Sequence, residues 1–114
     1  MGSHAAVAAE LLGDHQLVAD AMADVRAGSI PPKLQALLAF VEKAARDTSA
    51  VSAEDLDAAR AVGWTDDALY DAITVCALFR FYNTWVDASG VASLPDYTMS
   101  GKRLASDGYV PEPR

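Results

Sequence analysis

Cysteine is all but missing from this chain. Cys76 stands alone among 114 residues, so no disulfide framework within the chain is possible, and the composition fits a reducing cytosol. Basic residues are scarce as well: nine Lys and Arg face sixteen Asp and Glu, for a net charge of −7. An acidic surface repels phosphate backbones and disfavours nucleic acid as a partner. No cluster of Lys or Arg offers itself to an anionic membrane surface, and no run reaches the roughly 18 consecutive apolar residues of a membrane-spanning helix. The opening residues lack the basic region, apolar stretch and cleavage site of a secretory leader. The expectation is a cytoplasmic protein with neither a membrane nor a nucleic-acid partner. Strict alternation of apolar and polar residues is absent, so no stretch argues for a strand. Phosphate-cradling glycine loops and a G-x-S-x-G elbow are missing, and no cofactor is expected. The two histidines, His4 and His15, are separated by the helix-breaking Gly13, and no metal set is expected either.

What is present is an apolar fraction of 52%, a globular figure, recurring at helical spacing. The expected fold is all-α, with five or six helices and short loops in a single domain over 1–114, and a looser tail over 91–114. A first helix over 4–12 places Val7 and Leu11, with Ala8, on one face and ends at Gly13. Asp14 caps a second over 15–27, with Leu17, Val18, Ala21, Met22 and Val25 as its apolar side. Pro31 and Pro32 open a third over 32–47, striped by Leu34, Leu37, Leu38, Val41 and Ala45. Residues 48–51 read as a short connector. Ser52 and Asp55 form a variant capping box for a fourth helix over 53–62, ended by Gly63. Thr65 caps the longest, 66–89, whose first turn carries Asp66 and Asp67 and which Gly90 closes. A short helix over 96–106 precedes a proline-containing tail at 110–114. In the long helix, Val75 to Tyr82 is apolar nearly all round apart from Arg80. That predicts burial on two sides, one against the chain's own core and one against a second subunit.

Few residues offer chemistry. Cys76 reads as a small core hydrophobe; the alternative, a reactive thiol, has no second cysteine in the chain to resolve a sulfenic acid. Glu54, Asp55, Asp66 and Asp67 stand at helix starts, where capping explains them better than paired acid–base work. Asn83 and Asp87, four apart on one helix face, read as a polar pair bonded to a neighbouring helix end, or as the wall of a substrate pocket.

The stretch LFRFYNTWVDASGV at 78–91 resembles the closing helix of alkylhydroperoxidase D-like proteins, of the carboxymuconolactone decarboxylase superfamily, and of its peroxidase-related branch in particular. Residues 34–47, Val51-Ser52 and 56–63 are similar to that branch's LLxFAxKLTRxPxxVxxxDLxxLRxAG region. Residues 65–75 resemble the start of its last long helix, and SGKRLA at 100–105, running to Gly108-Tyr109, its tail. HAAVAAELLGD at 4–14, with Leu17-Val18, resembles the segment that follows the family's C-x-x-C-x-x-x-H motif, with His4 at the motif's histidine. The resemblance covers most of the chain.

The resemblance implies a multihelical fold, assembly as a homo-oligomer (commonly a trimer or hexamer), and reduction of peroxides or alkyl hydroperoxides. In the family a thiolate attacks the peroxide, its partner closes a disulfide, and a histidine and a glutamate relay protons. By resemblance His4 is the relict proton-relay position. The motif's second cysteine would fall immediately before Met1. Glu10 is not at the motif's glutamate, and Cys76 matches neither motif cysteine, so these 114 residues are not expected to form a competent thiol peroxidase. Three accounts of the opening stand: Met1 is internal to a longer protein, the chain is a fragment that keeps the fold and has lost activity, or MGSH is a cloning leader. The alternatives for function are a non-catalytic oligomeric scaffold, a module for a small apolar or peroxide ligand, and a decarboxylase-like enzyme on the same fold.

Overall fold

Asp14, Ser52 and Thr65 each stand one residue before a helix, and Gly90 one residue after. The computed structural model describes residues 3–109; Met1, Gly2 and the expected tail at 110–114 lie outside them. The helices are α1 (Ser3–Leu12), α2 (His15–Ala23), α3 (Pro32–Arg46), α4 (Ala53–Ala61), α5 (Asp66–Ser89) and α6 (Thr98–Asp107), with a 3-10 turn at Thr48–Ala50. No strand occurs among the described residues, and none of their helices is long and apolar enough to cross a membrane. The chain divides into two compact units, residues 3–24 with 92–109, and Val25–Val91.

In the first unit α1 lies against α6 through small residues. Ala9 is fully buried and Ala6 nearly so, facing the buried Gly101. The expected face was different: Leu11 is 68% exposed and Val7 only half-buried. The reason is distance. A Cβ on Gly101 would lie 2.6 Å from the Ala6 Cβ, so the helices approach too closely for anything larger than alanine. Asp14 caps α2 by accepting from the Leu17 N–H at 2.8 Å. The helix stops at Ala23, short of the expected Ala27, where Asp24 turns extended at φ −155° and ψ 116°.

The 25–31 segment has other uses for its backbone. The Gln35 amide donates to the Ala27 and Ile30 carbonyls at 2.9 and 2.8 Å, and Ile30 is buried almost completely. Carbonyls held by a side chain, with an isoleucine removed from water, compensate for the lost helical turn.

The core of the second unit is Phe40, Ala59 and Leu69, with Leu37, Val41, Val51, Leu56 and Trp64 packed round it. The buried face of α3 is therefore rotated toward Phe40, which the expected stripe left out. Trp64 donates its indole N–H to the Lys33 carbonyl at 2.8 Å, and the Lys33 ammonium sits 4.6 Å from the ring centre, a cation–π contact. The hydroxyl of Thr65 accepts from the Ala68 N–H at the start of α5. Gly90, at φ 72°, ends that helix in the left-handed conformation that glycine adopts without strain.

The expected capping box is present at the start of α4. The Asp55 carboxylate accepts from the Ser52 N–H at 2.8 Å and from the Lys43 ammonium of α3 at 2.6 Å. The ammonium bond, more than any other contact, holds the Asp55 carboxyl below its ordinary value. A carboxyl depressed on folding contributes stability that is present above about pH 4 and lost as the pH falls through its folded value. The Asp55→Asn chain is therefore less resistant to urea than the parent at neutral pH. In urea titrations at a series of pH values, the gap between the two midpoints closes below about pH 4.

Candidate functional site

Three places hold the chemistry-bearing residues. The first is the start of α1. His4 stands in its first turn and is exposed. Glu10, six positions on, falls on a different face of the helix. The carboxylate of Glu10 is instead 3.7 Å from the His15 imidazole of α2, at a solvent-exposed contact. Nothing in the sequence gives His15 a role, and the spacing of residues on separate helices carries no signal for such a contact.

The second is a groove between α3 and α5 of about 560 Å³, walled by Leu37, Val41, Val75, Cys76, Phe79 and Asn83. Cys76 is half-buried there. The α5 backbone carries the groove's polar end: Asn83 lines it, and Arg80 crosses to the C-terminal end of α3. The Arg80 guanidinium donates to the Thr48 hydroxyl at 2.9 Å and to the Ala44 carbonyl at 3.3 Å. A cation at a helix C-terminus is favourably placed against the macrodipole. The helix-end contact expected of Asn83 and Asp87 is thus made by Arg80, whose longer side chain reaches α3.

A polar hollow of about 500 Å³ lies on the other side of α3, lined by Arg26, Glu42, Lys43, Arg46 and Asp55. Its cations face carboxylates of the same chain: Arg26–Glu42 at 3.7 Å, Arg46–Glu42 at 2.8 Å and Lys43–Asp55 at 2.6 Å. With Asp47 also in the lining, three cations stand with three carboxylates and the hollow is self-neutralising. A similar link joins α4 to α5, where Arg60 bonds Asp57 and Asp66 at 2.8 and 2.7 Å; the carboxylate of Asp66, then that of Asp57, raises the guanidinium above its ordinary value.

The third place is the open side of α5. Every residue from 77 to 89 is exposed. Trp85 is 63% exposed and Phe81 60%, with Leu78, Tyr82 and Val86 beside them. Phe81 and Tyr82 meet edge to face at 5.3 Å and 78°. Single exposed apolar residues are ordinary, but a contiguous patch of aromatics marks an interaction surface. Among the described residues no cluster of three or more His, Cys, Asp or Glu side chains could hold a metal. In comparisons with known proteins, no family model matches the chain, and no curated protein matches it.

Proposed function

We propose that this chain is a helical subunit of the alkylhydroperoxidase D-like kind, which associates with copies of itself through α5. The observation that carries the reading is the uncovered apolar surface of that helix. A helix apolar on nearly all sides is stable in water only when another surface covers it. The sequence likeness at 78–91 falls on the same helix, and the likeness at 4–14 puts the family's proton-relay histidine at His4. The chemistry that the likeness implies is reduction of peroxides by a thiol pair. That pair is not among these 114 residues, so the polypeptide itself is assigned the role of an oligomeric scaffold around a relict site.

A second reading rests on the groove between α3 and α5. Its volume of about 560 Å³ is in the range of small-molecule sites, and its apolar walls, with Asp71 toward one end and Arg80 and Asn83 toward the other, match their usual chemistry. In this reading the chain binds a small apolar ligand beside Cys76.

Two measurements test the first reading. Sedimentation of the 114-residue chain gives a mass of at least twice that of the monomer, and Phe81→Asp or Leu78→Asp reduces it, because each buries an unpaired carboxylate in the α5 interface. An oligomer unmoved by either substitution removes the assignment. In a peroxide assay with dithiothreitol, the chain consumes no more peroxide than the reagent blank; turnover that His4→Ala slows would instead place working redox chemistry on this chain.

A further inference from the structure

The geometry points to a specific mode of self-association: α5 pairs with α5 of a second copy, antiparallel, about a two-fold axis at the level of residue 79. The inference rests on the reading that copies of this chain assemble through α5, and supplies its geometry.

The open side of α5 is a heptad seam. Tyr70, Thr74, Ala77, Phe81, Thr84 and Ala88 follow one another at alternating steps of four and three, the 3.5-residue repeat that keeps one stripe facing a partner helix. All six are exposed. The groove-lining residues Ala72, Cys76, Phe79 and Asn83 lie on another side of the helix, facing α3, so the seam is distinct from the surface the chain uses for its own packing.

The seam is complementary to its own reverse. In a two-fold antiparallel pair, residue i meets residue j and j meets i. Centred on position 79, Tyr70 meets Ala88, Ala77 meets Phe81 and Thr74 meets Thr84. Each large ring is set against a methyl group, and the medium-sized residues oppose one another. In a parallel, in-register pair the same seam would set Phe81 against Phe81 and Ala77 against Ala77, which overpacks one layer and hollows the next. Antiparallel pairing also opposes the two helix macrodipoles.

The threonine hydroxyls of the seam are already satisfied. The Thr74 hydroxyl donates to the Tyr70 carbonyl and the Thr84 hydroxyl to the Arg80 carbonyl, both at 2.8 Å. Covering these threonines strands no donor, so the desolvation cost that opposes burial of hydroxyls is largely removed. The area suffices as well. Tyr70, Phe81 and Trp85, each roughly two-thirds exposed, keep on the order of 400 Å² open between them. Ile73 and Leu78 on the flanks, with the exposed Thr74, Ala77, Thr84 and Ala88 of the seam itself, bring the surface toward the roughly 800 Å² that each partner contributes to a stable interface.

Two experiments on the 114-residue chain test the pairing. In the first, Thr74→Cys and Thr84→Cys are made separately in a Cys76→Ala background, one chain isotopically heavy, then mixed and treated with a short bismaleimide. The expected product links one chain of each kind. Either chain alone gives little product, because like positions lie about 15 Å apart along the axis. In the second, Ala77→Phe and Phe81→Ala each weaken association, read by sedimentation, at least about 30-fold. The double variant restores a large residue opposite a small one and recovers association to within about tenfold of the parent. Such recovery has no explanation in misfolding.

An assembled protein that links like with like, gives no mixed product, or shows no recovery in the double variant overturns the antiparallel seam and leaves assembly through α5 standing. A chain that stays monomeric at high concentration overturns both.

Discussion

Gly101→Val unfolds the α1–α6 pair. A Cβ at this position meets the Ala6 Cβ at 2.6 Å, the Ala6 carbonyl carbon at 3.1 Å and the Val7 nitrogen at 3.3 Å. Two of these three are backbone atoms, which cannot step aside without moving the helix. Overpacking of this kind costs about 1–3 kcal/mol for modest insertions, and a β-branched side chain adds two further carbons at the point of closest approach. Gly101→Ala separates two opposing effects. Alanine gains about 1 kcal/mol in helix propensity over glycine, yet its single methyl still falls inside contact distance, so it too is destabilising, by less. Hydrogen exchange at α1 and α6 amides reads both: protection falls in the Ala chain and is lost in the Val chain. Ala6→Gly recovers part of the loss in the Ala chain, since it removes the nearest contact and leaves the other two. Protection in the Val chain equal to the parent's would place the α1–α6 crossing elsewhere.

The second large effect belongs to Phe40→Ala. Phe40 is 5% exposed and is the only large ring at the centre of its cluster, touching residues of α3, α4 and α5. Truncation of a buried phenylalanine costs about 3–5 kcal/mol, the lost transfer free energy plus the cavity it leaves. A unit of this length holds roughly 3–10 kcal/mol in all. The substitution therefore removes most of its stability, and the Val25–Val91 unit is partly unfolded without denaturant. Urea titration followed by far-UV circular dichroism shows the missing or shortened native baseline. Leu38→Ala, at a half-buried position on the expected stripe, costs distinctly less; equal costs at 38 and 40 would restore the stripe as the sequence drew it.

That contrast shows what one sequence can and cannot carry. Local signals were legible. Asp14, Ser52 with Asp55, and Thr65 act on backbone groups within three residues, and each marks its helix start where the structure has it. The bounds of α5 follow from Thr65 and Gly90 alone. The short helix expected at 96–106 is α6, shifted by a residue or two. What failed was decided at a distance. The end of α2 depends on Gln35, several residues past a glycine and two prolines, taking the carbonyls of Ala27 and Ile30. The face of α1 depends on a glycine at position 101 that selects alanines over Val7 and Leu11. The buried side of α3 depends on where α4 and α5 lie, which favours Phe40 over the wider apolar stripe. Arg80 reached the helix end assigned to Asn83 and Asp87, because side-chain length matters there more than polarity. The relay position at His4 came only from resemblance, since nothing in composition or spacing singles out an exposed histidine in a first turn.

The two tryptophans stand in opposite situations. Trp64 is clamped, its N–H on the Lys33 carbonyl and the Lys33 ammonium over its ring, while Trp85 lies open on α5. Their light emission therefore has two independent sources. A neutral quencher such as acrylamide reaches the exposed indole at 85 more readily than the half-buried one at 64. The first indole reports the wetness of the α5 surface, and the second the integrity of the fold beneath it. One cuvette distinguishes a change at the α5 surface from a loss of the fold beneath it.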